Sequence, residues 1–116
     1  RMESHFLGTR DLTTSTSTMK AAGTLKLDGD KLDVAELYAP FSHQQLILQQ
    51  SLKLTDNTRV NPSGGALAGH VLMAAGLDRF GAAAREIWSG RADRALAHAT
   101  SGPCLQQNML AILEGA

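Results

Sequence analysis

The sequence predicts a single α/β domain in which a mixed sheet carries helices on both faces. Its length of 116 residues suits one domain with one core. Segments with apolar residues at helical spacing alternate with short strand-like segments, and two strand-like segments end the chain. Such alternation is typical of a mostly parallel sheet, to which the last strand can add antiparallel. The predicted order is β-α-β-α-β-α-β-β, with residues 1–116 as one domain.

The first half of the chain predicts two strands and two helices. Residues 1–7 alternate weakly between apolar and polar side chains, as a short strand does, and residues 34–38 form the second predicted strand. Between them, hydroxyl side chains of the Ser/Thr-rich residues 11–17 can cap a first helix. The second helix is predicted over about residues 42–54, because Ser42 and Gln45 form a capping-box pattern before apolar residues at helical spacing.

The second half predicts a very short strand, one long helix and two final strands. The short strand covers residues 59–61 and leads into a Pro/Ser/Gly turn. Over about residues 68–88 apolar residues recur near helical spacing. Most other positions of this third helix are Ala or Gly, so it can be covered on more than one side. The final strands are predicted at residues 94–99 and 109–113.

Composition excludes several classes of protein. Eleven Lys and Arg balance eleven Asp and Glu without clustering, which argues against a nucleic-acid partner. The single cysteine, Cys104, cannot form an internal disulfide, and no Cys/His spacing suggests a metal site. No apolar run approaches the ~20 residues that span a bilayer. We therefore expect a soluble cytoplasmic protein, and the first residue, Arg1, suggests a piece of something longer.

Three ordered motifs carry a family resemblance. They are VAELYAPFSHQQL at 34–46, NPSGGALAGH at 61–70 and HATSGPCLQQNMLAILEG at 98–115. Together they resemble the C-terminal half of the thiolase superfamily, most closely its lipid-transfer-protein and acetyl-CoA acetyltransferase-like, sterol-carrier-type members. The resemblance covers essentially the whole chain. It implies a thiolase-like half in which the third helix lies between two sheets, while the reactive cysteine belongs to an N-terminal half absent from this sequence.

The resemblance implies catalytic roles for His70 and Tyr38. His70 matches the histidine of the family's Gly-His motif, which helps to ionise the reactive thiol, although Val71 here replaces the family's proline. Sterol-carrier-type thiolases have a motif similar to His-Asp-Cys-Phe here, in which Tyr38 replaces the histidine and Pro40 replaces the cysteine. The loss of these two acid/base groups puts thiolysis in doubt. Thiolase-like steroid side-chain aldolases carry a tyrosine at this place, but they usually replace the histidine that matches His70, so the motifs here fit neither subgroup fully. Without the family, His70 is a structural residue at a helix start and Tyr38 ends a buried strand.

Four further groups are candidates for the site. Cys104 falls in the last loop, near the family's acid/base cysteine, and is otherwise a small buried hydrophobic residue. His43 is a solvated or capping residue, or a contact to pantetheine. His98 fits where some sterol-carrier-type members have Gln-His-Asn. The glycines that can bring the backbone close to a substrate are Gly64, Gly65 and Gly69.

The implied function is that of the C-terminal domain of a thiolase-like acyl-CoA acyltransferase. It would form or cleave a carbon–carbon bond of a 3-oxoacyl-CoA in lipid or sterol metabolism, and the isolated chain would be inactive. Two alternatives are a retro-aldolase acting on 3-hydroxyacyl-CoA and a non-catalytic module for acyl-CoA binding, lipid binding or assembly. The coenzyme A thioester is a substrate, and no cofactor is implied. Implied partners are an N-terminal thiolase half in the same or another chain, a second copy in a homo-oligomer, and a small zinc-ribbon/OB-fold protein.

Overall fold

The predicted alternation of strands and helices is confirmed in a computed structural model of the chain. The structure describes residues 2–4, 11–27, 31–102 and 104–116. Within these ranges it contains five strands and four helices. The strands are β1 (Met2–Ser4), β2 (Val34–Glu36), β3 (Arg59–Val60), β4 (Arg94–Ser101) and β5 (Gln107–Glu114). The helices are α1 (Thr16–Thr24), α2 (Ser42–Leu52), α3 (Gly65–Ala68) and α4 (Ala75–Trp88).

All five strands belong to one mixed sheet with the order β1-β5-β4-β2-β3. Strand β2 lies between β4 and β3 and is parallel to both, with Val34 opposite Arg59 and Ala95. The last strand, β5, is antiparallel to β4 and to β1. Because β2 and β4 run in the same direction, their carboxyl ends meet at one edge of the sheet.

Helices cover both faces of the sheet, as predicted. On one face α1 and α2 pack over a core of leucines that includes Leu48, Leu96 and Leu110. On the other face α4 packs over a core in which alanines predominate, including Ala83 of the helix and Ala95 of β4. The small side chains bring helix and sheet close together, and a Cβ atom on Gly76 would lie 2.7 Å from the Cβ atom of Ala99.

The prediction of one long third helix over about residues 68–88 is wrong at its start. The chain leaves the helical conformation after α3, and α4 begins only at Ala75. Gly69 is extended, with φ −158° and ψ 111°, and Leu72 has φ 46°, in the left-handed region. A 3-10 turn, Leu72–Ala74, then leads into α4. His70 therefore lies in a link between two helices and not on the first turn of a helix.

Within the described ranges, α4 is covered on one side. Its buried positions are Ala75, Arg79, Ala82, Ala83 and Glu86. Two large apolar side chains of the same helix face outward, since Leu77 is 78% and Trp88 is 84% exposed. The second cover that the small residues predicted is therefore not supplied by the described part of this chain.

The predicted capping box of α2 does not form. Phe41 is the N-cap residue, no side chain caps the helix, and Ser42 is already helical. Gln45 instead accepts a hydrogen bond from Asn61. None of the helices in the described segments is long and apolar enough to cross a membrane.

Candidate functional site

A pocket of about 640 Å³ opens at the edge where β2 and β4 end. Its wall includes Tyr38, which follows β2 by two residues, and Thr100 near the end of β4. The link between α3 and α4 closes another side with His70 and Met73. Ligands of open α/β sheets commonly bind at this edge. The described residues that line the pocket include no Asp, Glu, Lys or Arg, so the pocket suits an uncharged group.

Tyr38 and His70 form a hydrogen-bonded pair in this pocket. The Oη atom of Tyr38 lies 2.9 Å from Nε2 of His70, and the two rings meet edge to face with their centroids 5.5 Å apart. The other ring nitrogen of His70, Nδ1, accepts a hydrogen bond of 2.9 Å from the backbone N–H of Leu72. Tyr38 is half-buried and His70 is exposed, so both polar groups can meet a ligand. The two principal sequence candidates thus lie together.

Asn61 connects the strand that leads to Tyr38 with the turn that leads to His70. Its Oδ1 atom accepts a hydrogen bond from Leu37 N–H at 2.6 Å, and its Nδ2 atom donates to Gln45 of α2 at 3.0 Å. Its φ of 48° is left-handed, a conformation that Asn tolerates better than most residues. This role was not predicted, although the Asn-Pro step before two glycines marks a turn.

A buried ion pair ties the same turn to α4. Glu36 of β2 is completely buried, and its Oε2 atom accepts hydrogen bonds from Arg79 Nη1 at 2.9 Å and from Ser63 Oγ at 2.7 Å. Arg79, itself 4% exposed, also donates to Ser63 Oγ and pairs with Asp78. A buried carboxylate requires such partners. The sequence signal was a glutamate within the apolar run VAELY.

Gly64 and Gly65 shape the turn before α3 and Gly69 follows that helix, and none of the three lines the Tyr38–His70 pocket. Gly64 and Gly65 have φ of 90° and 62°, and a Cβ atom on Gly64 would lie 2.6 Å from Ala68 Cβ. Gly65 and Gly69 border a separate cavity of about 340 Å³ on the other side of the link. The structure therefore does not bring these glycines together with Tyr38 and His70.

Cys104 lines the pocket, whereas His43 stands beside it. Cys104 is exposed, so the alternative of a buried hydrophobic residue is wrong. It also borders an adjoining cavity of about 220 Å³, whose wall includes His43. His43 is exposed and its ring stacks on that of Phe41, with centroids 5.9 Å apart. The loop carrying Cys104 is tightly bent, since Cys104 and Leu105 have φ of 52° and 57°.

His98 lies in the protein interior and does not line the pocket. It is 1% exposed, and its Nε2 atom lies 2.7 Å from Oδ1 of Asn108. Asn108 in turn donates to Ser17 Oγ and to the carbonyl oxygen of Leu105. Burial lowers the pKa of His98 to about 4, although the hydrogen bond to Asn108 acts in the opposite direction. The imidazole is therefore neutral at physiological pH and helps to hold the loop that carries Cys104.

Among the described residues, no group of three or more His, Cys, Asp or Glu side chains could hold a metal ion. Comparison with protein-family models gives no match to this chain, and comparison with curated proteins gives none either.

Proposed function

We propose that this chain is the C-terminal domain of a thiolase-like enzyme that cleaves a 3-hydroxyacyl thioester by a retro-aldol reaction. The observation that carries the proposal is the Tyr38–His70 pair, with Oη and Nε2 2.9 Å apart in an uncharged pocket. The motifs at 34–46, 61–70 and 98–115 support the family, and a tyrosine at position 38 is the feature that resembles the family's aldolases. A Tyr–His pair supplies a proton-transferring or hydrogen-bonding group for a substrate oxygen on which charge develops as the carbon–carbon bond breaks.

The reaction breaks the bond between C2 and C3 of the acyl group. The 3-hydroxyl group gives its proton to a base, C3 becomes a carbonyl carbon, and the electron pair of the broken bond moves onto the thioester as an enolate. The enolate then takes a proton at C2, which yields a shortened acyl thioester and a ketone or aldehyde. Negative charge develops on oxygen during this step, and a hydroxyl hydrogen bond directed at that oxygen stabilises the transition state.

The pocket suits the uncharged, apolar end of such a substrate. Besides its polar groups, the wall includes Phe41, Leu72 and Met73. Leu72 is 73% exposed and Met73 is fully exposed, and neighbouring exposed apolar side chains can form a patch that binds a partner or a ligand. In the proposal an N-terminal half, in the same or another chain, covers this side and completes the site. The chain alone is therefore expected to be inactive.

Acyl transfer to a thiol is the second candidate, because exposed Cys104 and His70 line the same pocket. In that reaction the imidazole has to accept a proton from a thiol. Here both ring nitrogens of His70 already have partners, Tyr38 at Nε2 and Leu72 at Nδ1. A thiol would have to displace one of these hydrogen bonds. The observed pairing therefore favours the retro-aldol reaction.

The test uses the complete protein, that is, this chain together with its N-terminal half. It is incubated with a 3-hydroxyacyl-CoA and, separately, with a 3-oxoacyl-CoA plus coenzyme A. We expect cleavage of the 3-hydroxyacyl-CoA, and a loss of roughly 100-fold in kcat/KM for Tyr38→Phe, the size typical for removal of one donor to a developing oxyanion. Leu46→Ala, at an exposed position of α2 outside the pocket, serves as the control and should keep its activity.

Thiolysis of the 3-oxoacyl-CoA without cleavage of the 3-hydroxyacyl-CoA would establish the acyltransferase and reject the retro-aldolase. If neither substrate reacts, the enzyme proposal fails and a binding or assembly module takes its place.

A further inference from the structure

We infer that the backbone amide of Leu72 fixes the direction of hydrogen bonding through His70, so that Tyr38 donates its hydroxyl proton into the pocket. Leu72 is thus a positioning residue that acts through its main chain. The catalytic consequence rests on the proposed function, whereas the hydrogen-bond direction is a property of this chain by itself.

The direction follows from the donor and acceptor capacity of each group. A backbone N–H can only donate, so the 2.9 Å contact from Leu72 N requires an unprotonated Nδ1 on His70. A neutral imidazole carries one N–H, which must then be on Nε2. Nε2 lies 2.9 Å from Tyr38 Oη, so His70 donates and the tyrosine oxygen accepts. A hydroxyl can donate or accept, and Tyr38 therefore imposes no direction of its own.

Val71 and Leu72, the residues on either side of this amide, both adopt sparsely populated backbone conformations. Val71 has φ −96° and ψ 24°, in the sparsely populated bridge region, and ψ of Val71 sets the direction of the next N–H. Leu72 itself has φ 46°, a left-handed conformation that is unfavourable for residues other than Gly and Asn. Burial does not hold it there, because its side chain is 73% exposed. Backbone outliers of this kind cluster at functional sites.

The consequence is that the pair presents a proton donor to its ligand. With His70 occupying the Tyr38 oxygen as a donor, the tyrosine proton is left for a substrate atom that accepts. The thioester carbonyl oxygen, which gains charge as the enolate forms, is such an atom. The 3-hydroxyl group has to lose its proton and needs an acceptor instead. We therefore assign Tyr38 to the thioester oxygen and the removal of the 3-hydroxyl proton to another group.

Nitrogen-15 NMR of the imidazole rings tests the hydrogen-bond direction in the unliganded chain. At neutral pH the His70 signals, identified by their loss in His70→Gln, should show a protonated Nε2 and an unprotonated Nδ1. A coupling through the hydrogen bond should connect Nδ1 with the amide nitrogen of Leu72. Replacing the amide between Val71 and Leu72 by an ester removes the N–H and keeps both side chains, although it also weakens the Val71 carbonyl as acceptor for the Ala74 N–H. It should lower the ratio of the Nε2–H to the Nδ1–H form roughly fivefold, the effect of one ordinary hydrogen bond.

Two variants serve as matched controls. Leu72→Ala keeps the backbone N–H, and Tyr38→Phe removes a group that sets no direction, so neither should change the ratio more than about twofold. A predominant Nδ1–H form in the wild-type chain, or no coupling between Leu72 and Nδ1, would overturn the inference. Turnover of the wrong substrate would instead overturn the proposed function and leave the hydrogen-bond direction as it is.

Discussion

Lowering the pH from 7.5 to 5 should destabilise this chain by roughly 2 kcal/mol through one buried imidazole, that of His98. Its pKa is lowered from 6.5 to about 4, mainly because burial disfavours the charged ring. The gap between these values corresponds to ~3 kcal/mol, at about 1.36 kcal/mol per pH unit. Its hydrogen-bond partner Asn108, and Ser17 to which Asn108 donates, are uncharged and cannot compensate a positive charge.

Whether the free energy of unfolding rises or falls with pH depends on which state of the chain, folded or unfolded, binds the proton. Above about pH 6.5 the imidazole of His98 is neutral in both the folded and the unfolded chain, and its titration leaves the free energy of unfolding unchanged. Between 6.5 and about 4 the unfolded chain binds a proton that the folded chain does not. The free energy of unfolding therefore falls as the pH falls, and this loss is complete below about pH 4. Carboxylates with a lowered pKa, such as Asp33 and Glu86, begin to contribute only below their unfolded values of 3.8 and 4.5.

Urea unfolding at a series of pH values measures this effect. Circular dichroism of the helices is the appropriate signal, because Trp88 is 84% exposed and its fluorescence changes little on unfolding. The variant His98→Gln removes the titration and should flatten the pH dependence between 7.5 and 5. His43→Gln removes an exposed imidazole and should keep the wild-type slope.

Either of two results would refute this account of His98. One is a wild-type loss of less than about 0.5 kcal/mol between pH 7.5 and 5, where about 2 kcal/mol is expected. The other is the same loss in His98→Gln. If that variant does not fold, an NMR titration of the wild-type chain decides the matter, because a His98 midpoint near 6.5 would contradict the burial argument.

Two further predictions concern α4, and urea unfolding measures both. Arg79→Ala leaves Glu36 buried without its cation and should lower the free energy of unfolding by about 3 kcal/mol. Arg85→Ala, at an exposed position of the same helix, should change it by no more than about 0.5 kcal/mol. Similar losses in the two variants would show that the buried pair does not stabilise the fold. Gly76→Ala places a Cβ atom 2.7 Å from Ala99 and should cost about 1–3 kcal/mol. A Cβ atom on Gly81 would have nothing within 4 Å, so Gly81→Ala should raise the free energy of unfolding by about 0.5–1 kcal/mol. Equal effects of the two changes would contradict the close packing of α4 on Ala99.

The order of strands and helices could be predicted because it depends on local apolar periodicity. The break between α3 and α4 could not. Over residues 68–88 apolar side chains recur near helical spacing, and nothing local forbids a helix there. The extended Gly69 and the left-handed Leu72 are fixed by contacts with the rest of the fold, including the pair that His70 makes with Tyr38.

The individual residues of the candidate site could be predicted from the sequence, but the contacts between them could not. His70 and Tyr38 were each identified from a motif, while their contact joins segments 32 residues apart. The Glu36–Arg79 pair spans 43 residues, and one sequence gives no indication of which cation a buried carboxylate will meet. His98 was predicted at the end of a strand, but the alternation of side chains across a sheet decides whether such a residue faces a pocket or the interior.

The edge strand β3 has a consequence for how this chain can associate. Arg59 N–H and Asn61 N–H both bond to carbonyl groups of the β2 segment, so within β3 only the N–H of Val60 turns outward. Arg59 adds a charged side chain, which also pairs with Glu86. A strand this short and charged is a poor template for extending the sheet into a neighbouring molecule. At this edge the domain is thus protected against strand-by-strand polymerisation, and a partner has to be recognised through side chains rather than through shared backbone pairing.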